Sequence, residues 1–167
     1  IKEAVVGHYW MADGGNEFDG REISPLNEDQ LHKIANEIGT LGIDSVALCS
    51  VFSPVNDEME KAAAEIMRKR LPNASFTLSS EIGRLGILER ENAAIMNASL
   101  RKLSAHTVGA IGEALKSINL NCPYYITQND GTLMSAKFVQ EYPVLTFASG
   151  PTLSLIHISE PTRLTMI

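Results

Sequence analysis

Carboxylates on glycine-rich turns are the first groups here whose types and spacing could do chemistry. Asp13, Glu17 and Asp19 lie in M-A-D-G-G-N-E-F-D-G-R-E, which closes on Arg21 and Glu22. Such a loop could bind magnesium or position a substrate; a polar turn closed by Asx-type hydrogen bonds is the competing reading. Gln128, Asn129 and Asp130 follow an apolar run, and ligands gather at the carboxyl ends of strands in open α/β sheets. A plain strand-to-helix turn would look the same. Ser149, Gly150, Pro151 and Thr152 follow another apolar run. Their small side chains would let backbone N–H groups approach a phosphate, which the start of a following helix would favour. Glu81, Arg84, Glu89, Arg90 and Glu91 crowd the entry to a long helical pattern; Arg90 could serve a ligand cleft, or the cluster could be a salt-bridged helix start.

Other chemistries find no pattern. His8, His32, His106 and His157 lack metal-ligand spacing, so no metal site built within the segment is expected. No G-x-S-x-G elbow occurs, and Cys49, in an apolar run, reads as a small core residue.

The elements that must hold these groups are legible from caps and periodicity. Asn27 is a good N-cap, Gln30 completes a capping-box pattern, and Leu31, Ile34, Ile38 and Leu41 recur at helical spacing up to Gly42. Residues 45–52 read as a buried strand. Asn56 then caps a helix with Asp57, Glu58 and Glu60 at its start, Arg68, Lys69 and Arg70 at its end, and Pro72 beyond, which complements the helix dipole at both ends. Residues 76–79 are the next strand. Helix and strand in alternation predict parallel pairing, hence an α/β fold. A long helix follows from Glu89 to Ile118, its apolar face traced by Met96, Leu100, Leu103, Val108, Ile111, Leu115 and Ile118. Gly109 and Gly112 inside it predict a close approach to another backbone, or a hinge or kink. Residues 124–127 form a strand, 129–131 a turn, 135–142 a short helix and 144–148 a further strand. At the amino end, Ala4-Val5-Val6-Gly7 reads as the end of a strand, with residues expected upstream of Ile1.

The totals fit an ordinary domain: 167 residues, 44% hydrophobic and 20% charged. A net charge of -6 argues against a nucleic-acid or anionic-membrane surface, and no apolar run approaches the roughly 18 residues that span a bilayer. Cys49 and Cys122 form no C-x-x-C pair, and the reading is a reduced, cytoplasmic protein.

Four segments in order carry a resemblance: F-D-G-R-E-I-S-P-L, S-S-E-I-G-R-L-G-I-L-E-R-E-N-A-A-I-M-N-A-S-L, Y-I-T-Q-N-D-G-T-L-M and P-V-L-T-F-A-S-G-P-T. Together, over residues 13–152, they resemble the hydantoinase A / 5-oxoprolinase family. The resemblance implies an actin-like, ribonuclease H-like ATPase fold, here incomplete, with a mostly parallel sheet and flanking helices. It implies ATP and magnesium as cofactors of the intact parent and a small cyclic amide, of hydantoin or 5-oxoproline type, as substrate. A hydantoinase B-type subunit is the implied partner. Asp19, Arg21, Arg90, Gln128, Asn129, Asp130, Ser149, Gly150 and Thr152 are the cleft residues expected on these motifs. An acetone carboxylase-like subunit and a non-catalytic α/β interaction module are the alternatives.

The family's D-x-G-G-T-type phosphate loops would lie upstream of Ile1 and downstream of Thr152, and Asp13-Gly14-Gly15 lacks the threonine. Tight nucleotide binding and autonomous catalysis are therefore not expected of this segment. Residues 1–80 are assigned to the end of the family's N-terminal region and 81–152 to the start of its central region. Residues 153–167 contain S-L-I-H-I-S-E-P-T-R-L, which resembles translated sequencing adapter; a non-native, poorly packed tail is expected there.

Overall fold

The computed structural model describes residues 7–159, which divide into two compact units with the boundary in the chain between Ala98 and Ser99. The strand end expected at Ala4–Gly7 and the last eight residues of the tail lie outside the described residues, Gly7 excepted.

In the first unit the segment read as loop contains a hairpin. Strand β1 (Gly15–Asn16) pairs antiparallel with β2 (Glu22–Ser24). Between them Gly20 takes φ 85, which a side chain would strain. Helix α1 (Glu28–Thr40) starts where expected: the Asn27 side chain accepts the Gln30 amide at 3.1 Å, and Gly42 ends it at φ 67. The reciprocal half of the capping box is not made. Gln30 instead clamps Asp13, accepting its backbone N–H at 2.8 Å and donating to its carboxylate at 2.7 Å. The Asn27 N–H is meanwhile satisfied by the Asp13 carbonyl.

Strand β3 (Ser45–Leu48), helix α2 (Glu58–Arg70) and strand β4 (Ser75–Leu78) form the predicted crossover unit. The strands run parallel, with Val46 beside Phe76 and Leu48 beside Leu78. Strand β3 is shorter than the apolar run suggested. It ends at Leu48, and Phe52 turns the chain at φ 54, a left-handed backbone unusual for a bulky residue. Cys49 therefore stands beyond the strand and is exposed rather than core. Leu31, Ala35 and Ile38 of α1 pack with Ala63, Met67 and Leu71 and with Phe76 of β4. His32 is half-buried, its Nδ1 enclosed without a partner.

Helix α3 (Ile87–Ser117) confirms the long helical pattern and buries Val108 of its expected apolar face, but its other buried residues are not the ones expected. Met96, Leu103 and Ile111 are exposed, as is Ile118 just past the helix, whereas Arg90, Ala94, Asn97 and Ala98 are buried. The reason is steric: small residues let the helix approach β4, where buried Asn97 donates to buried Thr77 at 3.2 Å. Gly109 faces open space. Gly112 lies near the Tyr124 hydroxyl, which donates to the Val108 carbonyl, so no second backbone comes close.

The second unit packs strands β5 (Tyr125–Thr127) and β6 (Leu133–Ser135) and helix α4 (Ala136–Glu141) around Val108, Met134 and Val139. β5 and β6 pair antiparallel. The expectation of a mostly parallel sheet is thus corrected: among the described residues there are three two-stranded sheets, and one of them is parallel. The turn joining β5 to β6 is too short for the crossover a parallel pair needs. The strand expected over 144–148 is also corrected. Pro143–Leu145 forms a 3-10 turn, and its carbonyls are taken by local bonds and by Asn129 instead of a ladder. Helix α5 (Ser149–Ser159) follows; Leu153, Ser154 and Leu155 on it are exposed.

Candidate functional site

The carboxyl ends of β3 and β4 carry the densest polar construction in the first unit. Arg90, on the first turns of α3, is 1% exposed and makes four hydrogen bonds. Its Nε donates to the Ser79 hydroxyl at 2.9 Å, Nη1 to the carbonyls of Arg84 and Leu85, and Nη2 to the Ser50 carbonyl at 2.6 Å. The loop 83–86 is wrapped so closely that a Cβ on Gly83 would meet the Arg90 side chain at 2.6 Å. Arg90 therefore binds the fold's own carbonyls, and a salt-bridged helix start does not describe it.

Glu60, on the first turn of α2, is the negative counterpart. It is 2% exposed and accepts from the Ser50 N–H at 2.7 Å, the Ser79 hydroxyl at 2.6 Å and the Ser80 N–H at 3.0 Å. One carboxylate thus gathers the backbone just past both parallel strands. Buried Ser53 adds its hydroxyl 3.3 Å from that of Ser79. Glu60 read in the sequence as a helix-dipole complement, and its real place was missed. A signal existed: Glu60, Ala63, Ala64 and Met67 share one face of α2, so this carboxylate sits on the apolar stripe. Arg90 likewise leads the buried stripe of Ala94, Asn97 and Ala98.

Asp19 and Arg21 stand at the exposed hairpin tip, where Arg21 Nε donates to the Asp19 carboxylate at 2.7 Å. The tip is tied to the segment after β3: Asn56 donates to the Gly20 carbonyl at 3.0 Å, and Asn16 donates to the Asn56 carbonyl at 2.9 Å. Residues 50–56 therefore join the hairpin to the Arg90–Glu60 network. Beside it, Cys49 has its thiol pushed above the usual range by desolvation, which the Ser79 hydroxyl and the Arg90 charge partly oppose.

In the second unit the structure brings Asn129 and Thr152 together. Asn129 donates its side-chain amide to the Val144 carbonyl at 3.0 Å and accepts the Ala148 N–H at 2.8 Å; its own carbonyl accepts the Thr152 hydroxyl at 2.5 Å. Gln128 closes the hairpin turn through the Thr132 carbonyl. Asp130 is exposed, and two hydrogen bonds from Thr132, hydroxyl first and backbone second, hold its carboxyl below the ordinary range. Ser149 and Gly150 do not precede a helix but form the first turn of α5.

The donor set does not match a magnesium–nucleotide site. Among the described residues no three His, Cys, Asp or Glu side chains converge as metal ligands would. Asp13 of the Asp-Gly-Gly run is engaged by Gln30, and Asp130 by Thr132.

Comparison with known proteins identifies the setting of these residues. Residues 3–71 match the family model described as the hydantoinase/oxoprolinase N-terminal region, and residues 90–165 match that described as hydantoinase/oxoprolinase. An uncharacterized protein of Methanocaldococcus jannaschii is 30% identical over 142 residues, covering 84% of this chain and 21% of that protein. Caprolactamase subunit alpha of Pseudomonas jessenii is 25% identical over 134 residues, covering 80% and 19%. The crystal structure of ATP-dependent caprolactamase from Pseudomonas jessenii shares the fold at TM-score 0.74 and 22% identity, covering 89% of this chain and 22% of that one. Nucleotide-free acetone carboxylase does so at 0.72 and 18%, covering 88% and 21%. The chain thus spans about a fifth of the length of the relatives it matches. With both family regions matched consecutively, and an α/β fold shared with two solved structures, this chain is a member of the hydantoinase/oxoprolinase family.

Proposed function

We propose that the protein bearing this chain is an ATP-dependent hydrolase that opens small cyclic amides, built on an actin-like ATPase fold. The observation that carries the reading is the consecutive match to both hydantoinase/oxoprolinase regions, supported by the caprolactamase relative. Amide resonance makes a lactam carbonyl a poor electrophile, and ATP would supply the activation that ring opening needs. Magnesium would accompany the nucleotide, held by residues outside the described span. A second, hydantoinase B-type subunit and a cytoplasmic location complete the reading. The word subunit in the caprolactamase relative's name supports the partner, and no helix among the described residues is long and apolar enough to cross a membrane.

Within this chain Asp19 and Arg21 are proposed as ligand-facing residues of the first unit, and, taken separately, Gln128, Asp130, Ser149 and Gly150 as ligand-facing residues of the second. Asn129 and Thr152 shape the turn that carries them. Arg90, enclosed by its own loop, works by holding backbone. The test is the complete gene product, produced with its companion subunit and given magnesium-ATP and 5-oxoproline or N-methylhydantoin. Ring-opened product with stoichiometric ADP is expected. Product formation that requires bicarbonate would replace hydrolysis with carboxylation, and ADP release indifferent to every cyclic amide would overturn the proposal.

A further inference from the structure

Two oppositely charged side chains at the carboxyl ends of β3 and β4 are buried, yet among the described residues they form no direct ion pair. Arg90 and Glu60 meet only through the Ser79 hydroxyl, which donates to Glu60 and accepts from Arg90. Between them they hold both polar groups of the Ser50 backbone, the N–H on Glu60 and the carbonyl on Arg90. Glu60 also holds the Ser80 N–H, and Arg90 the carbonyls of Arg84 and Leu85. Every one of these backbone groups lies in the two segments that leave the parallel strands, 49–56 and 79–86. Crevices outside the carboxyl ends of parallel strands are where α/β folds bind ligands. Buried charges are expensive to enclose, and a hydrophobic pair of similar volume could close the same space, so stability alone is a poor reason for them. A network that fixes backbone on two adjacent strand ends has a better one.

We propose that Glu60 and Arg90, coupled through Ser79, are positioning residues that set the two post-strand segments in the shape a bound substrate or nucleotide meets. This rests on the ring-opening reading above for the reaction concerned. Neither residue touches the reacting atoms; each acts through the loop backbone it holds. Glu60→Gln keeps the side chain's shape but offers an N–H donor where a carboxylate oxygen accepted, so one of the Ser50 and Ser80 amides loses its partner.

The experiment has two arms. In the 167-residue chain, amide hydrogen exchange is followed in the wild type and in Glu60→Gln. Exchange at Ser50 or Ser80 is expected to quicken by roughly ten- to a hundredfold while amides of β5 and β6 stay unchanged. Unchanged rates at both serines would overturn the proposal. In the complete enzyme, kcat/KM is compared for Glu60→Gln and for Met67→Ala, a core variant outside the network, at a temperature where circular dichroism shows both folded. A loss of about tenfold or more is expected for Glu60→Gln only. Similar losses in both variants, or none in Glu60→Gln, would overturn the positioning role while leaving the reaction itself standing. A wild-type enzyme that opens no cyclic amide would sink the functional reading instead, and the exchange arm would still decide whether Glu60 holds these loops.

Discussion

The side-chain carbonyl of Asn129, in the β5–β6 turn, accepts the backbone N–H of Ala148 at 2.8 Å, so one residue of a hairpin turn sets where α5 begins. The same side chain donates to the Val144 carbonyl at 3.0 Å. Asn129→Ala leaves both backbone groups without their partners and should destabilise the second unit by about 1–3 kcal/mol. Asn129→Asp, which keeps the acceptor and loses the donor, should fall between. Urea denaturation with exchange at the Ala148 amide checks this; protection unchanged in the alanine variant would contradict it.

Ser79 is the hinge of the buried polar network in the first unit. Ser79→Ala removes one partner each from Arg90 and Glu60, both nearly inaccessible to water. Hydrogen bonds to charged groups contribute about 1.5–3 kcal/mol each, so the loss should exceed that of Ser53→Ala, whose hydroxyl makes one contact at 3.3 Å. Equal midpoints for the two variants in chemical denaturation would refute the ranking.

Asp130 should show a pH signature in the second unit. Its carboxyl is held below the ordinary range by the Thr132 hydroxyl and then by the Thr132 N–H. Folding therefore gains from ionised Asp130 above the unfolded-state pKa, and the gain is lost as pH falls through the depressed folded value. Thr132→Val removes the larger cause, and a carboxyl-carbon NMR titration should find Asp130 shifted upward. No upward movement would place the cause elsewhere.

Cys49 should behave as a sluggish thiol despite its exposed surface. Desolvation pushes it up, against the Ser79 hydrogen bond and the Arg90 charge. Alkylation by iodoacetamide, read by peptide mass mapping, should therefore reach Cys122 first at neutral pH, with Cys49 reacting only as pH climbs beyond the ordinary thiol range of about 8.5. Ser79→Ala should slow Cys49 further. Faster labelling of Cys49 than of Cys122 at pH 7 would reverse the assignment.

Much of this protein was written locally. Asn27 and Gly42 bracket α1 because a cap needs only its own neighbours, and the β3–α2–β4 alternation declared a parallel pair because each element carries its own periodicity. Family membership was equally legible, since four motifs in order survive without reference to geometry. What only the tertiary structure decided is where polar side chains lie relative to distant backbone. Glu60 looks like a dipole complement until β3 and β4 bring Ser50 and Ser80 to its carboxylate, and nothing marks Asn97 as buried until β4 presents Thr77. The large apolar residues of α3 misled for the same reason. Burial follows what packs against a helix, and here small residues beside a bonded arginine admit the sheet more closely than leucine would.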